Sequence, residues 1–474
     1  MKVLFASSEA RPFFATGELG DMAGSLPPAL QSAGADMTVI LPLYGDIALE
    51  WRARMRYVTN FVVPVSWRSQ YCGLFELTWR GITFYFLDNE YYFKRSAMYG
   101  FYDDDERFAF FSRAILETLF HVGLTPDVIH CNDWQTALAP AYLNLYYRHI
   151  EKYARIKTAF TIHDLQYQGK FGPEILEGTV GIGRGDFHVV EFDGIVNYTK
   201  GAIESSDVVN AVSPTYAGEI LDPWYGQGLY GFLRERKGKL RGILNGIDTD
   251  EYNPATDAGI AAGYGVENFE QGKDSCRKEL REIFGLDESS DPVIGMVTRF
   301  DLHKGLDLLI HMADEIVSSG MQMAIAGEGG DRYEQFFGEL EARRSGRFSA
   351  RVGPLSDLSH KVFAGSDMFL MPSRSEPCGL AQMAAMRYGS VPIVRMTGGL
   401  RDTIVDCGDG AGNGFTFVSY SADDMLEACR RARMMFMDRP AWNMLARRAM
   451  RCNHGWGKPA KEYLEMYRDA VKSW

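Results

Sequence analysis

Two loops in the second half of the chain carry the residue types best suited to chemistry. The first, Pro372–Leu380, follows the apolar run Met368–Met371 and holds a single acid, Glu376. The second, Thr397–Leu400, follows the apolar run Val391–Arg395. Glycine-bearing strand-to-helix turns present backbone N–H groups and the positive ends of helix dipoles, which suit a phosphate or diphosphate. Because a lone carboxylate favours sugar hydroxyls, the two loops together predict a nucleotide-sugar site.

Two cations, Arg299 and Lys304, stand five residues apart across another strand-to-helix turn. Cations beside a helix start can clamp a diphosphate and stabilise it as a leaving group, so both are candidate catalytic residues. The alternative is an ordinary solvated pair at a helix end. Gly327 opens the run Gly-Glu-Gly-Gly after a further apolar segment. This run lacks the Gly-x-Gly-x-x-Gly spacing, so a dinucleotide cofactor is not predicted.

Two polar residues in the first half directly follow apolar runs. His163 could bond a sugar hydroxyl or orient a reacting group, or it could be a structural histidine. Asp133 suits acid/base work or binding of acceptor hydroxyls, and it serves equally well as a cap for a helix beginning near Thr136. His130 precedes Asp133 by three residues, but no further histidine or acid stands at a supporting spacing. A metal site is therefore not predicted.

The elements that position these residues alternate between apolar strand-like runs and helical patterns. This alternation is typical of doubly wound parallel sheets, and it occurs in both halves, with an antiparallel insertion expected at Phe61–Leu87. We expect an α/β protein with one domain at 1–248, a second at 249–455, and an amphipathic helix, Lys458–Ser473, within 456–474. Ligands bind at the carboxyl ends of such strands. The polar motifs all lie at those ends, which predicts a cleft lined by both domains.

Composition narrows the class of partner and the compartment. The chain has 474 residues, 46% of them apolar, and a formal net charge of −12, which argues against a nucleic-acid surface. Seven scattered cysteines without a Cys-x-x-Cys pair favour a reducing compartment. No signal peptide and no apolar stretch of about 18 residues is apparent. We therefore expect a cytoplasmic protein that binds no membrane.

In this order, and over nearly the whole chain, the motifs resemble those of bacterial glycogen synthases and plant starch synthases. They include Thr161-Ile-His-Asp with Tyr167-Gln-Gly, Ile243–Asp248, Thr298-Arg-Phe, Lys304-Gly, Pro372–Leu380 and Thr397–Leu400. The resemblance implies the GT-B architecture, with two Rossmann-like domains facing across a cleft. It also implies transfer of glucose, with retention, from ADP-glucose to the non-reducing end of an α-1,4-glucan, without a metal or other cofactor. The choice between ADP- and UDP-glucose stays open.

The same resemblance assigns roles to individual residues. Arg299 and Lys304 would hold the diphosphate, Glu376 would contact glucose hydroxyls, and His163 would line the sugar pocket. The donor-binding set is Gly17, Asn245, Gly327, Cys378, Gly379, Leu380, Thr397 and Gly398. The acceptor-binding set is Asp133, Trp134, Tyr167 and Gln168, with Asp133 facing the reacting centre.

The resemblance implies a front-face displacement in which the acceptor hydroxyl attacks from the side of the leaving diphosphate. No carboxylate pair at a glycosidase-like arrangement is evident, so a covalent glycosyl intermediate is not expected. We expect closure around residues 245–255 to exclude water from the donor.

The chain departs from the family pattern in its first glycine loop. Where the family reads Lys-Thr-Gly-Gly-Leu, this chain has Ala15-Thr16-Gly17-Glu18-Leu19. One lost charge-assisted contact costs about 1.5–3 kcal/mol, roughly tenfold to a hundredfold in donor handling. A harmless loop variant is the alternative.

Two hypotheses about function remain open. One is an active synthase with altered donor handling, which the retained Arg299, Lys304, Glu376 and His163 favour. The other is a weak or silent paralogue that binds glucan or nucleotide sugar as a regulator, which Ala15 and Glu18 favour.

Overall fold

A computed structural model describes residues 1–353 and 356–472, without the side chains of 356, 357 and 409. The chain divides into two compact units. Unit 1 is Met1–Gly246 together with Trp456–Trp474, and unit 2 is Ile247–Gly455. Ser473, the last residue of the predicted terminal helix, lies outside the described residues.

Unit 1 is built on a mostly parallel sheet. Its strands are β1 (Lys2–Ala6), β2 (Asp36–Pro42), β3 (Arg56–Val65), β4 (Arg68–Trp79), β5 (Ile82–Asp88), β6 (Val128–Asn132), β7 (Lys157–Ile162), β8 (Lys170–Phe171), β9 (Glu191–Phe192), β10 (Ile195–Asn197), β11 (Val208–Ala211) and β12 (Leu240–Gly242). Among the described residues, nine of them form one sheet in the order β12-β11-β7-β6-β1-β2-β5-β4-β3. A small antiparallel sheet, β8-β10-β9, stands apart. Sequence reasoning missed this small sheet because its strands have only two or three residues.

The helices of unit 1 connect these strands. They are α1 (Glu18–Ser32), α2 (Leu49–Arg52), α3 (Glu90–Phe93), α4 (Asp104–Val122), α5 (Leu138–Tyr142), α6 (Glu151–Ala154), α7 (Tyr198–Ser205), α8 (Pro214–Glu219) and α9 (Tyr230–Glu235). β6 is buried along its whole length, as are β1 and β7 beyond their first residues. Continuous apolar runs of this kind belong to strands that are covered on both faces. The polar residues that end them are therefore held by a rigid core.

The predicted antiparallel insertion is a three-strand extension of the main sheet. β3 pairs antiparallel with β4, and β4 pairs antiparallel with β5. β5 then pairs parallel with β2, which joins the extension to the parallel strands. The predicted antiparallel insertion at Phe61–Leu87 is confirmed by these two antiparallel pairings. The parallel pairing with β2 was not predicted, because the relative direction of distant strands leaves no local pattern.

Unit 2 has a smaller, fully parallel sheet. Its strands are β13 (Val293–Arg299), β14 (Gln322–Glu328), β15 (Phe348–Val352), β16 (Met368–Met371), β17 (Val391–Arg395) and β18 (Phe415–Phe417), and among the described residues they follow the order β15-β14-β13-β16-β17-β18. Its helices are α10 (Phe269–Phe284), α11 (Leu306–Ser318), α12 (Asp331–Arg343), α13 (Ser356–Gly365), α14 (Ala381–Arg387), α15 (Gly398–Thr403), α16 (Ala422–Met437) and α17 (Arg439–Met450). Strands β13 to β15 follow one another to one side of the sheet, and β16 to β18 follow to the other side. The strand order therefore switches between β13 and β16, and ligands bind at the carboxyl ends of strands at such a switch point.

The last helix, α18 (Gly457–Lys472), packs on unit 1. Tyr467 places its hydroxyl 2.7 Å from Nδ1 of His130 in β6. The Tyr463 hydroxyl accepts a 3.0 Å hydrogen bond from Asn210 in β11. Trp456 donates its indole N–H to Ser25 of α1 at 2.8 Å. These side chains attach the terminal helix to the core of the first unit.

Candidate active site

The carboxylate of Glu376 lies at the centre of the predicted donor site in unit 2. It is buried, with 1% of its surface exposed, and follows β16. Lys304, in the turn after β13, places its Nζ 2.9 Å from both carboxylate oxygens. The hydroxyl of Ser373 donates to the same carboxylate at 2.8 Å. Lys304 is thus part of a buried ion pair, so the alternative of a solvated cation does not hold for Lys304, whereas it stays open for Arg299.

The two predicted glycine loops pack directly on each other. Gly398 has φ +43°, and a Cβ there would lie 1.9 Å from the carbonyl oxygen of Glu376. Gly399 donates its N–H to that same oxygen at 3.2 Å, and a Cβ on it would lie 2.1 Å from the Cys378 carbonyl oxygen. Only glycine allows such close approach of two backbones. The side chains of Cys378, Leu380 and Thr397 are buried here, so their contacts with a ligand would come from the backbone.

Arg299 and Gly327 occupy the neighbouring strand ends. The Arg299 side chain is half exposed, and its Nε is 4.0 Å from Asp301. A Cβ on Gly327 would lie 2.0 Å from the ring of Phe300, and one on Gly330 would lie 2.4 Å from the Phe300 carbonyl oxygen. The packing of Phe300 therefore accounts for both glycines. The donor role of Gly327 stays a prediction with a structural explanation beside it.

Asp133, which directly follows β6, has an unusual backbone. Its φ is +55°, a region that costs a non-glycine residue about 1–3 kcal/mol and that clusters at functional sites. Its carboxylate accepts a 2.8 Å hydrogen bond from the His163 N–H and makes no cap bond to the turn that follows. The helix-cap interpretation was therefore wrong. Burial raises the pKa of Asp133 well above its usual range, and the carboxylates of Asp164 and Glu9 act in the same direction.

His163 directly follows β7, beside Asp133. Its Nε2 lies 3.2 Å from Oδ1 of Asn132, the last residue of β6. Burial lowers the pKa of His163 to about 3, so the imidazole is neutral. Sequence reasoning named His163 but missed Asn132. The only available signal was an amide at the end of a buried strand.

Asn245 lies near the end of unit 1 and is 1% exposed. Neither its Oδ1 nor its Nδ2 finds a hydrogen-bond partner among the described residues. Buried amides are almost always bonded, so an orphaned one needs an explanation, and a ligand is one.

The first glycine loop is fixed by a buried acid that sequence reasoning missed. Glu9 accepts hydrogen bonds from the Thr16 N–H and from the Tyr99 hydroxyl, the latter at 3.0 Å. Burial raises the pKa of Glu9. Within the described part of the chain, no heavy atom lies within 4 Å of a Cβ built on Gly17. Glu18 is the first residue of α1, where a negative charge stabilises the helix dipole.

The predicted acceptor residues have different surroundings. Tyr167 is 48% exposed, which suits stacking on a sugar ring. Trp134 is half-buried, packs edge-on against Phe108 at 4.9 Å, and has Gly169 beside its ring. Gln168 is buried, and its amide donates to Leu165 and accepts from Asn197. The Gln168 side chain therefore organises the loop, and its contact with an acceptor stays a prediction.

His130 uses both ring nitrogens within the protein. Nδ1 meets the Tyr467 hydroxyl and Nε2 the Thr161 hydroxyl, each at 2.7 Å. In residues 1–353 and 356–472, no group of three or more His, Cys, Asp or Glu side chains is arranged to hold a metal ion.

None of the helices in those ranges is both long and apolar enough to span a membrane.

Comparison with protein families and individual sequences agrees with these features. Residues 2–235 match the family described as "Starch synthase catalytic domain", and residues 277–433 match "Glycosyl transferases group 1". Glycogen synthase from Geobacillus thermodenitrificans is 46% identical over 477 residues, covering 100% of this chain and 98% of that protein. Glycogen synthase from Clostridium novyi is 46% identical over 480 residues, covering 100% of both chains.

Solved structures give the same result. The catalytic domain of starch synthase IV from Arabidopsis thaliana, bound to ADP and acarbose, matches with a TM-score of 0.92, 34% identity and 99% coverage of both chains. Sucrose-phosphate synthase from Thermosynechococcus elongatus matches with a TM-score of 0.64 at 16% identity over 100% of both chains, which shows the fold alone. The two parallel-sheet units and their strand-end sites define a glycosyltransferase with the GT-B fold. Within that class, the chain belongs to the family of glycogen and starch synthases.

Proposed function

We propose that the protein transfers glucose from ADP-glucose to the non-reducing end of an α-1,4-glucan, with retention of configuration. Its membership of the glycogen and starch synthases supports this reaction class. The observation that carries the proposal is the buried Lys304–Glu376 pair at the strand ends of unit 2, held between two glycine loops. A carboxylate so placed can accept bonds from sugar hydroxyls, and the ammonium beside it can meet a phosphate.

The donor phosphates are assigned to Lys304 and Arg299. Arg299 is half exposed and can move to an incoming diphosphate, and Lys304 stands ready at a fixed position. As the bond to glucose breaks, negative charge grows on the leaving diphosphate. Two preorganised cations stabilise that charge. Backbone amides of the Cys378–Leu380 turn and the Thr397–Gly398 turn complete the donor set.

The glucose and the acceptor are assigned to groups of unit 1. The orphaned amide of Asn245 and the neutral imidazole of His163 suit sugar hydroxyls. The raised pKa of Asp133 suits a group that takes up a proton near the reacting centre. Tyr167 and Trp134 offer aromatic surface to the glucan. The reaction then proceeds as a front-face displacement, without a covalent intermediate or a metal ion.

An ADP-release assay with ADP-glucose and glycogen tests the proposal. We expect steady ADP release that depends on glycogen and persists in excess EDTA. Lys304→Met and Glu376→Gln should each lower kcat by at least a hundredfold. UDP-glucose is the competing donor in a parallel assay, and a preference for it would change the donor assignment. Glycogen binding without any ADP release would favour the alternative of a regulatory paralogue, which the comparisons do not support.

A further inference from the structure

The amide of Asn132 has one orientation that suits its neighbours. Its Nδ2 lies 3.0 Å from the carbonyl oxygen of Ala6, in the adjacent strand β1, and 3.5 Å from that of His130. Both are acceptors, so the NH₂ group must face them. A reversed amide would place Oδ1 against two carbonyl oxygens, which repel it. Oδ1 is therefore the atom that lies 3.2 Å from Nε2 of His163.

This orientation decides where the proton of His163 resides. Oδ1 of Asn132 carries no hydrogen, so Nε2 of His163 must be the donor of their hydrogen bond. The buried imidazole is neutral because burial lowers the pKa of His163 to about 3, and a neutral ring has a single N–H. Nδ1 is then an acceptor with an open lone pair. No hydrogen bond joins Nδ1 to any residue in the described part of the chain.

We propose that Asn132 is a positioning residue that holds His163 as the Nε2–H tautomer, so that Nδ1 accepts a hydrogen bond from a sugar hydroxyl. The inference rests on the proposed function and deepens it by assigning a direction to one hydrogen bond in the site. In this arrangement His163 supplies neither a positive charge nor a proton at Nδ1. The stabilisation of the leaving group is left to the cations of unit 2.

The surroundings of His163 keep this arrangement rigid. The backbone N–H of His163 is bonded to Asp133, and the amide of Asn132 is anchored to β1, so three neighbouring strands hold the ring. His130 interacts electrostatically with the His163 ring, Asp133 bonds its backbone N–H, and the carboxylates of Asp164 and Glu9 act on Asp133 in turn. The Asn132 amide does not titrate, and burial keeps the pKa of His163 far below neutral pH. The tautomer should therefore stay the same across the neutral pH range.

The first test is the nitrogen NMR spectrum of the full chain labelled with ¹⁵N-histidine. His163→Gln identifies the signals of this ring by their loss. We expect a protonated Nε2 and an unprotonated Nδ1 that do not change between pH 5 and pH 8. A protonated Nδ1, or a doubly protonated ring at pH 7, would overturn the inference. This measurement needs no variant at Asn132, so it decides the question even if such a variant fails to fold.

The second test replaces the neutral acceptor with a charged one. In Asn132→Asp, a carboxylate beside Nε2 stabilises the imidazolium and raises the pKa of His163. Because the pKa of His163 starts at about 3, we expect kcat to gain an acidic limb below about pH 6, which approaches a tenfold fall per pH unit that the wild type lacks. Asn144→Asp, a surface amide bonded to Ser205, is the matched control and should keep the wild-type profile. A uniform loss of kcat without the limb would indicate a merely structural role.

The two proposals fail in different ways. If the Nε2–H tautomer is present but the wild type transfers no glucose to glycogen, the proposed function is wrong. If glucose is transferred and Nδ1 carries the proton, the assignment of Asn132 is wrong.

Discussion

At the scale of single residues, the buried pair of Lys304 and Glu376 is the central feature of the proposed donor site. A carboxylate that is 1% exposed has lost its water, and its charge is compensated by one ammonium and one hydroxyl. Such a pair need not stabilise the fold relative to apolar residues, but removing one partner leaves a buried charge. If the pair binds the donor as proposed, it couples donor binding to the stability of unit 2.

Lys304→Met should destabilise the protein by about 3–5 kcal/mol, because Glu376 keeps a hydroxyl but loses its cation. The double variant with Glu376→Gln should recover most of that loss, since no buried charge remains. Urea unfolding under identical conditions measures both. The control is Lys361→Met, which breaks the more exposed pair with Glu279 and should cost less than about 1 kcal/mol. Equal losses of stability in Lys304→Met and Lys361→Met would contradict the conclusion that Lys304 compensates a buried charge.

At the scale of elements, the glycines in the site loops are present for two different reasons. Gly398 is required by the protein itself, since its φ is +43° and a Cβ there would overlap the Glu376 carbonyl oxygen. Gly17 precedes α1 with φ −168°, an extended conformation open to any residue. The described residues leave the space above Gly17 empty. A glycine that the fold does not require is consistent with close approach of a ligand.

Gly17→Ala should therefore leave the free energy of unfolding within about 0.5 kcal/mol of the wild type, as expected for a site without clashes. It should raise the KM for ADP-glucose at least fivefold, because the added methyl group meets the donor. Gly398→Ala is the contrasting variant, and it should lower stability by several times more. Steady-state kinetics and urea unfolding give both results. An unchanged KM in Gly17→Ala would remove this loop from the donor site.

The N-terminus of α1 is where the chain departs from the family pattern. Glu18 and Asp21 place two acids in the first turn of the helix, where they stabilise its dipole. A second anion, such as a donor phosphate, competes with them for the same positive end. Helix stability and the proposed donor binding are therefore expected to oppose each other at this element.

Ala15→Lys combined with Glu18→Gly should improve donor handling about tenfold or more in kcat/KM, since one charge-assisted contact returns. The same double variant should lose about 1 kcal/mol of stability, because glycine is a poor helix former and the charge at the dipole is gone. Kinetics with ADP-glucose and urea unfolding measure the two effects. Unchanged kinetics would show that the loop variant is harmless.

At the scale of the whole molecule, the chain leaves unit 1 after Gly246 and returns to it at Trp456. The returning helix α18 reaches the centre of the main sheet through Tyr467 and His130. Burial lowers the pKa of His130 to about 3, so this histidine is neutral in the folded protein. The attachment of α18 thus depends on an uncharged ring.

This attachment predicts a dependence of stability on pH. Between pH 3 and about 6.5, the usual pKa of histidine, the unfolded chain binds a proton at His130 that the folded protein does not. The contribution of the neutral His130 to the free energy of unfolding is full above about pH 6.5. As pH falls below that value, the contribution is lost at about 1.4 kcal/mol per pH unit. In His130→Gln, the free energy of unfolding should fall less steeply with decreasing pH, by about 1.4 kcal/mol per pH unit. His149→Gln, at an exposed position, should leave the slope unchanged. Urea unfolding between pH 4.5 and 7 checks both slopes.

Much of the fold could be predicted because its signals are local. β16 and β17 were predicted to the residue from short, continuous apolar runs. β18 was missed because three residues carry too little periodicity. The loop residues of the donor site could be named because glycine and charge at a strand end are visible in one segment.

By itself, the sequence determined the order of the elements and the family, since apolar periodicity and short motifs are properties of contiguous residues. Only the tertiary structure decided which side chains contact each other. Lys304 meets Glu376, the Asp133 carboxylate meets the His163 backbone instead of capping a helix, and Asn132 orients the His163 ring. Each of these contacts joins segments about 30 or more residues apart. Their pairing follows from strand order and register, which depend on the packing of the whole sheet and leave no trace in any one segment.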